Sequence, residues 1–228
     1  MPDAPQERAG PRTVDLRTPL SLGASFRFPL QSPVARREVL WGSALLIFLP
    51  GLGWLLNMGH RIAFVRHMQD GRPPFPAWSD PGRSWRDVYG DLLHDGFITF
   101  VAMVGYHAPG SIAVALGHFT RSTPVVAAGA VLWIAATVLV PGFMTHYCKE
   151  RNPRALWDVP VVLRRIRDAG GRYWRAWSIT LAAMVLSFVG ALGLGVGFFL
   201  VSVWFWQVAG FSFATVFSQR FGLVRSAS

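Results

Sequence analysis

Asp87, Asp91, His94 and Asp95 fall at i, i+4, i+7 and i+8, so on a helix they share one face. Three carboxylates and an imidazole so placed could coordinate a divalent cation or relay protons. The polar side of an interfacial helix carries the same pattern, so the spacing permits a site without requiring one. His107 is a second candidate, set beside Tyr106 and just before Pro109-Gly110 in an apolar run. Ionisable groups at bilayer depth are costly and by default mark ion or proton pathways. The competing reading is a neutral imidazole donating to a carbonyl within the bundle.

Other chemistries are excluded by what the chain lacks. Cys148 is the only cysteine, which rules out an intrachain disulfide, a cysteine metal cage and a redox pair. No His-Glu-x-x-His, Walker loop or Ser-His-Asp arrangement is present. Gly190, Gly193, Gly195 and Gly197 lie among apolar residues, with no strand before them and no acid after them. They read as a tight turn with close helix contacts rather than a dinucleotide loop. The chain is expected to be non-enzymatic, with no cofactor and no bound metal.

The elements that must position these residues follow from the spacing of charge. Residues 176–219 contain no Lys, Arg, His, Asp or Glu. As one helix this run would be roughly 66 Å long against a hydrocarbon slab of roughly 30 Å, so it supplies two spans. Further charge-poor stretches cover 39–59, 96–117 and 122–145. Leu49-Pro50-Gly51 breaks the first of these, which predicts a re-entrant or bent hairpin over 38–59. The spans are expected at about 96–118, 123–147, 176–195 and 199–218. The fold class is therefore all-α: a polytopic membrane protein with about four transmembrane helices, an N-terminal hairpin and interfacial amphipathic helices.

Ser84 with Asp87 reads as a capping box, opening a helix with Trp85, Val88, Tyr89 and Leu92 on one face. A glycine joint at Gly96 would lead into the next span. Asp158 as N-cap, Pro160 in the first turn and Gly170-Gly171 as the stop define a second interfacial helix. The two units form a weak parallel repeat: amphipathic helix, glycine joint, two-span hairpin.

The net charge is +10, and the basic residues flank apolar runs, with six in 1–37, five in 60–95, one in 118–124, eight in 148–175 and two after 219. This placement fits anionic lipid headgroups and the positive-inside rule, and it excludes nucleic acid as the natural partner. Both termini are then cytoplasmic, in a bacterial cytoplasmic membrane, with only Arg121 outside. A five-span arrangement with the N-terminus outside is the alternative. Residues 1–37 read as a polar, disordered cytoplasmic tail, 38–220 as the membrane domain and 221–228 as a short cytoplasmic tail.

The strongest local signature is Gly59-His60-Arg61-Ile62-Ala63-Phe64-Val65-Arg66, then Gly71-Arg72-Pro73-Pro74-Phe75-Pro76-Ala77-Trp78, then Asp91-Leu92-Leu93-His94-Asp95-Gly96. Its order resembles an uncharacterised prokaryotic integral-membrane family, domain of unknown function 4013, over roughly residues 38–220. Family members commonly have Tyr at the place of His60 and Glu at that of Ala77. The resemblance implies a helical membrane fold and carries no activity. Among its motif residues, Pro50, Gly59, Arg61, Arg66, Pro74, Pro76, Trp78 and Gly96 are expected to serve structure. The Pro73–Trp78 elbow is read either as rigid packing at the interface or as a docking surface for a soluble partner.

Two functions fit these features. One is a membrane-organising or partner-binding protein engaging anionic lipid. The other is a small transporter or channel subunit acting as a homo-oligomer, since broken helices often line substrate sites.

Overall fold

The computed structural model describes residues 14–80, 82–190, 192 and 196–221. The expectations for residues 1–13, for Gly193 and Gly195, and for the end of the chain beyond Phe221 lie outside these residues. The described chain is all-helical, with no strand. Its helices are α1 (Leu22–Arg27), α2 (Pro33–Phe48), α3 (Pro50–Gln69), α4 (Trp85–Phe119), α5 (Thr123–Glu150), α6 (Val159–Ala169), α7 (Gly171–Gly190) and α8 (Val196–Phe221). Short 3₁₀ turns at Phe28–Leu30 and Pro153–Trp157 join them.

Local signals set most of the ends. Ser84 accepts from the Asp87 amide and so caps α4, Asp158 accepts from Val161 N and caps α6, and Gly170 closes α6 at φ +55°. Pro50 opens α3, where no helical bond needs its missing N–H. The break at Leu49 folds α2 and α3 into an antiparallel pair. Glu38 meets His60, Asn57 donates to the Gly42 carbonyl, and Gly53 abuts the Leu45 carbonyl. Both open ends therefore lie at one end of the bundle, as expected of the bent hairpin, though the hairpin is longer than 38–59.

Three helices are long and apolar enough to cross a membrane: Trp85–Phe119, Thr123–Glu150 and Gly197–Ser218. α7 falls short because Arg172, Tyr173, Trp174 and Arg175 occupy its first turns. α4 and α5 bury little of themselves inside the protein: Phe119 is 91% exposed and Ile112 66%. A contiguous apolar surface of this extent needs a cover, and lipid supplies one. α8 is the opposite, with Val208, Phe211, Ala214 and Phe217 fully enclosed.

Two expectations are corrected. Within the tail expected over 1–37, residues 14–37 pack onto the bundle, and Val14, Leu16, Leu20 and Phe28 are core residues. Phe28 stacks on Phe211 at 4.5 Å and also meets Phe64 and Phe75, while Ser212 bonds Ser25 at 3.0 Å. Prolines and arginines interrupt this stretch in sequence, but its scattered apolar residues fit the groove beside α3 and α8. Nor is Gly96 a joint, since α4 runs through it as one 35-residue helix, about 52 Å long. A glycine costs about 1 kcal/mol in a helix interior, and here it permits backbone contact. The repeat consequently fails in its first unit, where amphipathic segment and span are one helix.

That contact joins α3 to α4. A Cβ on Gly96 would lie 2.0 Å from the Leu55 carbonyl oxygen, and one on Gly59 would lie 1.9 Å from that of Leu92. α4 and α5 pair in the same way through Gly110, Gly117 and Gly129, as small residues do where apolar helices meet in lipid. Gly96→Ala should cost about 1–3 kcal/mol by forcing α3 and α4 apart. Gly90→Ala, on the same helix with nothing near its Cβ, should stabilise by up to about 1 kcal/mol. Thermal unfolding of both variants in detergent checks the difference.

Candidate functional site

Asp95 joins three helices. Its carboxylate pairs with Arg66 of α3 and accepts from the Tyr147 hydroxyl of α5 at 2.6 Å. The Arg66 guanidinium lies 4.9 Å from the Tyr147 ring centroid, a cation–π contact that closes the triangle. Asp95 can reach both partners because α3 and α4 cross backbone to backbone at Gly59 and Gly96, the latter next to Asp95 in sequence.

Beside it lies a second knot. Glu38 is 3% exposed and His60 2%. One oxygen, Glu38 Oε2, accepts from His60 Nε2 at 2.8 Å, from Ala77 N at 2.9 Å and from Trp78 N at 3.1 Å. Ala77 N and Trp78 N can only donate and both use Oε2, so the ionised carboxylate is the form that fits, with His60 Nε2 as its third donor. Trp78 Nε1 donates to the Glu38 carbonyl, and the His60 ring stacks on Trp78 at 4.3 Å. Phe75 and Trp78 are both buried. The Pro73–Trp78 elbow, with Pro74 and Pro76, is thereby pinned inward and gives its aromatic residues to the core, in line with the rigid-packing reading, while Pro73 stays exposed. Residues at Ala77 and Trp78 need a carboxylate, and it arrives from α2.

Around these knots an arginine–aspartate ring lines a pocket of about 180 Å³. Arg72 pairs with Asp80 at 2.8 Å, Arg83 with Asp91 at 2.7 Å, and Arg151 with Asp70. The Asp91 hydrogen bond raises the Arg83 pKa above its usual value.

The four-residue face of α4 is thus divided among separate tasks. Asp87 bonds Ser84, Asp91 holds Arg83, Asp95 holds Arg66 and Tyr147, and His94 is 70% exposed, 3.8 Å from Asp95. Among the described residues no three His, Cys, Asp or Glu side chains are grouped to hold a metal ion. His107 lies deep in α4, with Nδ1 2.8 Å from the Met103 carbonyl and Nε2 3.0 Å from Thr137 Oγ1. The carbonyl can only accept, so Nδ1 carries the proton. Both ring nitrogens are engaged within the bundle.

Five arginines beyond the ring face outward. Arg154, Arg164, Arg167, Arg172 and Arg175 are exposed on or beside α6 and the start of α7, among the exposed Trp157, Leu163 and Trp174. Val162 faces inward, packing against the Gly142 backbone. Burial lowers the Arg165 pKa, opposed by Glu150 and Asp158.

Glu38 and Tyr147 were not foreseen in the sequence. Glu38 is the single acid between Asp15 and Asp70, at the head of an apolar run, which is the signal that could have found it. Tyr147 gave none. No family model, curated protein or solved structure matches the chain.

Proposed function

We propose that the chain is a non-enzymatic multi-pass protein of a bacterial cytoplasmic membrane, organising membrane or partner through its arginine-rich face, with both termini cytoplasmic. The observation that carries the reading is the exposed band on α6 and α7. Arginines there alternate with exposed Trp157, Leu163 and Trp174, the composition that seats a helix among headgroups. The same end of the bundle receives the open ends of α2 and α3. The resemblance to the uncharacterised prokaryotic membrane family agrees with this reading at the level of fold.

Each juxtamembrane arginine contributes about 1 kcal/mol towards an anionic surface. Replacing Arg154, Arg164, Arg167 and Arg172 together by Gln should weaken retention of phosphatidylglycerol by on the order of 10²–10³-fold. Native mass spectrometry of both proteins over a phosphatidylglycerol series reads this. Equal retention would remove the proposal, and solute flux through a stable homo-oligomer in liposomes would replace it with a transporter.

A further inference from the structure

A cavity of about 500 Å³ lies between α3, α4, α5, α7 and α8, and almost all its wall is hydrocarbon or aromatic. At about 30 Å³ per heavy atom it holds on the order of 16 carbon-sized groups. Cys148 and Trp133, both on its α5 wall, are 15 residues apart, about 22 Å along the helix. The space is long, narrow and sized for one alkyl chain.

Arg61 is the single Lys or Arg on this wall, and no Asp or Glu lies there. Its Nη2 is buried without a hydrogen-bond partner, and among the described residues it has no ion pair. Arg66, five residues on, has Asp95; Arg61 has nothing equivalent. A guanidinium does not shed its proton, so a half-buried one that faces an apolar wall with no ion pair favours an anion beside it. The chain makes room for it. A Cβ on Gly210 would lie 3.2 Å from Arg61 Cγ and 2.7 Å from the Phe64 ring, so the glycine opens the lane its stem follows. Trp206 covers one face of the guanidinium at 4.8 Å, which leaves its N–H edge to bind.

Arg61 lies within electrostatic reach of Cys148, which is on the last turn of α5, while His107 and Trp133, with ring centroids 4.7 Å apart, lie together further up the wall. Both His107 nitrogens are occupied by Met103 and Thr137, so the far end asks for no polar group. We infer that this cavity binds one long-chain fatty acid anion, its carboxylate paired with the edge of Arg61 and its chain running towards Trp133. One charge and one chain match one cation and this volume. A two-chain phospholipid would need about twice the space.

The full chain in phosphatidylcholine nanodiscs, titrated with palmitate and read by native mass spectrometry, should retain one palmitate per chain. Brominated palmitate should quench tryptophan saturably, since Trp54, Trp133, Trp177 and Trp206 line the space. Arg61→Gln should lower affinity at least tenfold, with Arg61→Lys retaining most of it and Arg164→Gln all of it. Met184→Trp, which fills the cavity near its far end, should lose palmitate and keep decanoate; this variant decides the matter should Arg61→Gln not fold. Equal retention of palmityl alcohol and palmitate would overturn the assignment. So would retention of phospholipid alone, a dimer that seals the cavity, or no saturable binding. None of these outcomes bears on phosphatidylglycerol at the exposed arginine band, which is tested separately.

Discussion

Glu38→Ala is expected to destabilise the protein by about 3–5 kcal/mol. The substitution strips the acceptor from three buried donors at once: His60 Nε2, Ala77 N and Trp78 N. Each orphaned donor costs about 1–3 kcal/mol, and their effects overlap because all three share one oxygen. The same change uncouples α2 from the Pro73–Trp78 elbow, so Phe75 loses its register against Phe28 and Phe64, and Trp78 against His60 and Tyr89. Unfolding in detergent with circular dichroism reads the loss. Trp78 fluorescence, in a variant whose other tryptophans near the elbow are replaced by Phe, should shift to the red. Glu38→Gln keeps the acceptor oxygen and should recover more than half of the stability.

Asp95→Ala carries the second large effect, again about 3–5 kcal/mol, because it leaves Arg66 largely enclosed without its counter-charge. Tyr147 loses its acceptor in the same step. The sign of the companion experiment separates this from simple loss of packing. Arg66→Met combined with Asp95→Leu removes both charges and should recover most of the loss, since an apolar pair often matches a buried ion pair. A double variant no better than Asp95→Ala would mean that Tyr147, rather than the charge, carries the effect.

Features fixed by neighbouring residues were legible in the sequence, and those fixed by distant ones were not. The caps at Ser84 and Asp158, the stop at Gly170 and the break at Leu49-Pro50 each depend on a few adjacent residues. The apolar runs announced the long helices because the bilayer sets their length. Glu38 acts on residues 22 to 40 positions away, and nothing in its immediate surroundings distinguishes it from an interfacial acid. Gly96 looks like a joint beside a polar segment, and only the approach of Leu55 shows it to be a contact. The shared face of Asp87, Asp91, His94 and Asp95 was correct as geometry. Its members were claimed by Ser84, Arg83, Arg66 and Tyr147, whose proximity depends on how three helices cross. The ordered stretch 14–32 was hidden because its contacts are tertiary, made to α3, α8 and the elbow.

Placement of the exposed apolar faces of α4 and α5 in lipid underlies every functional statement above. A nitroxide on Ile112→Cys, in a Cys148→Ser background reconstituted into vesicles, tests it by collision with oxygen and with a water-soluble nickel chelate. Relaxation by oxygen with little by nickel is the expected result. Relaxation by nickel as strong as that by oxygen would place Ile112 in water and contradict the account.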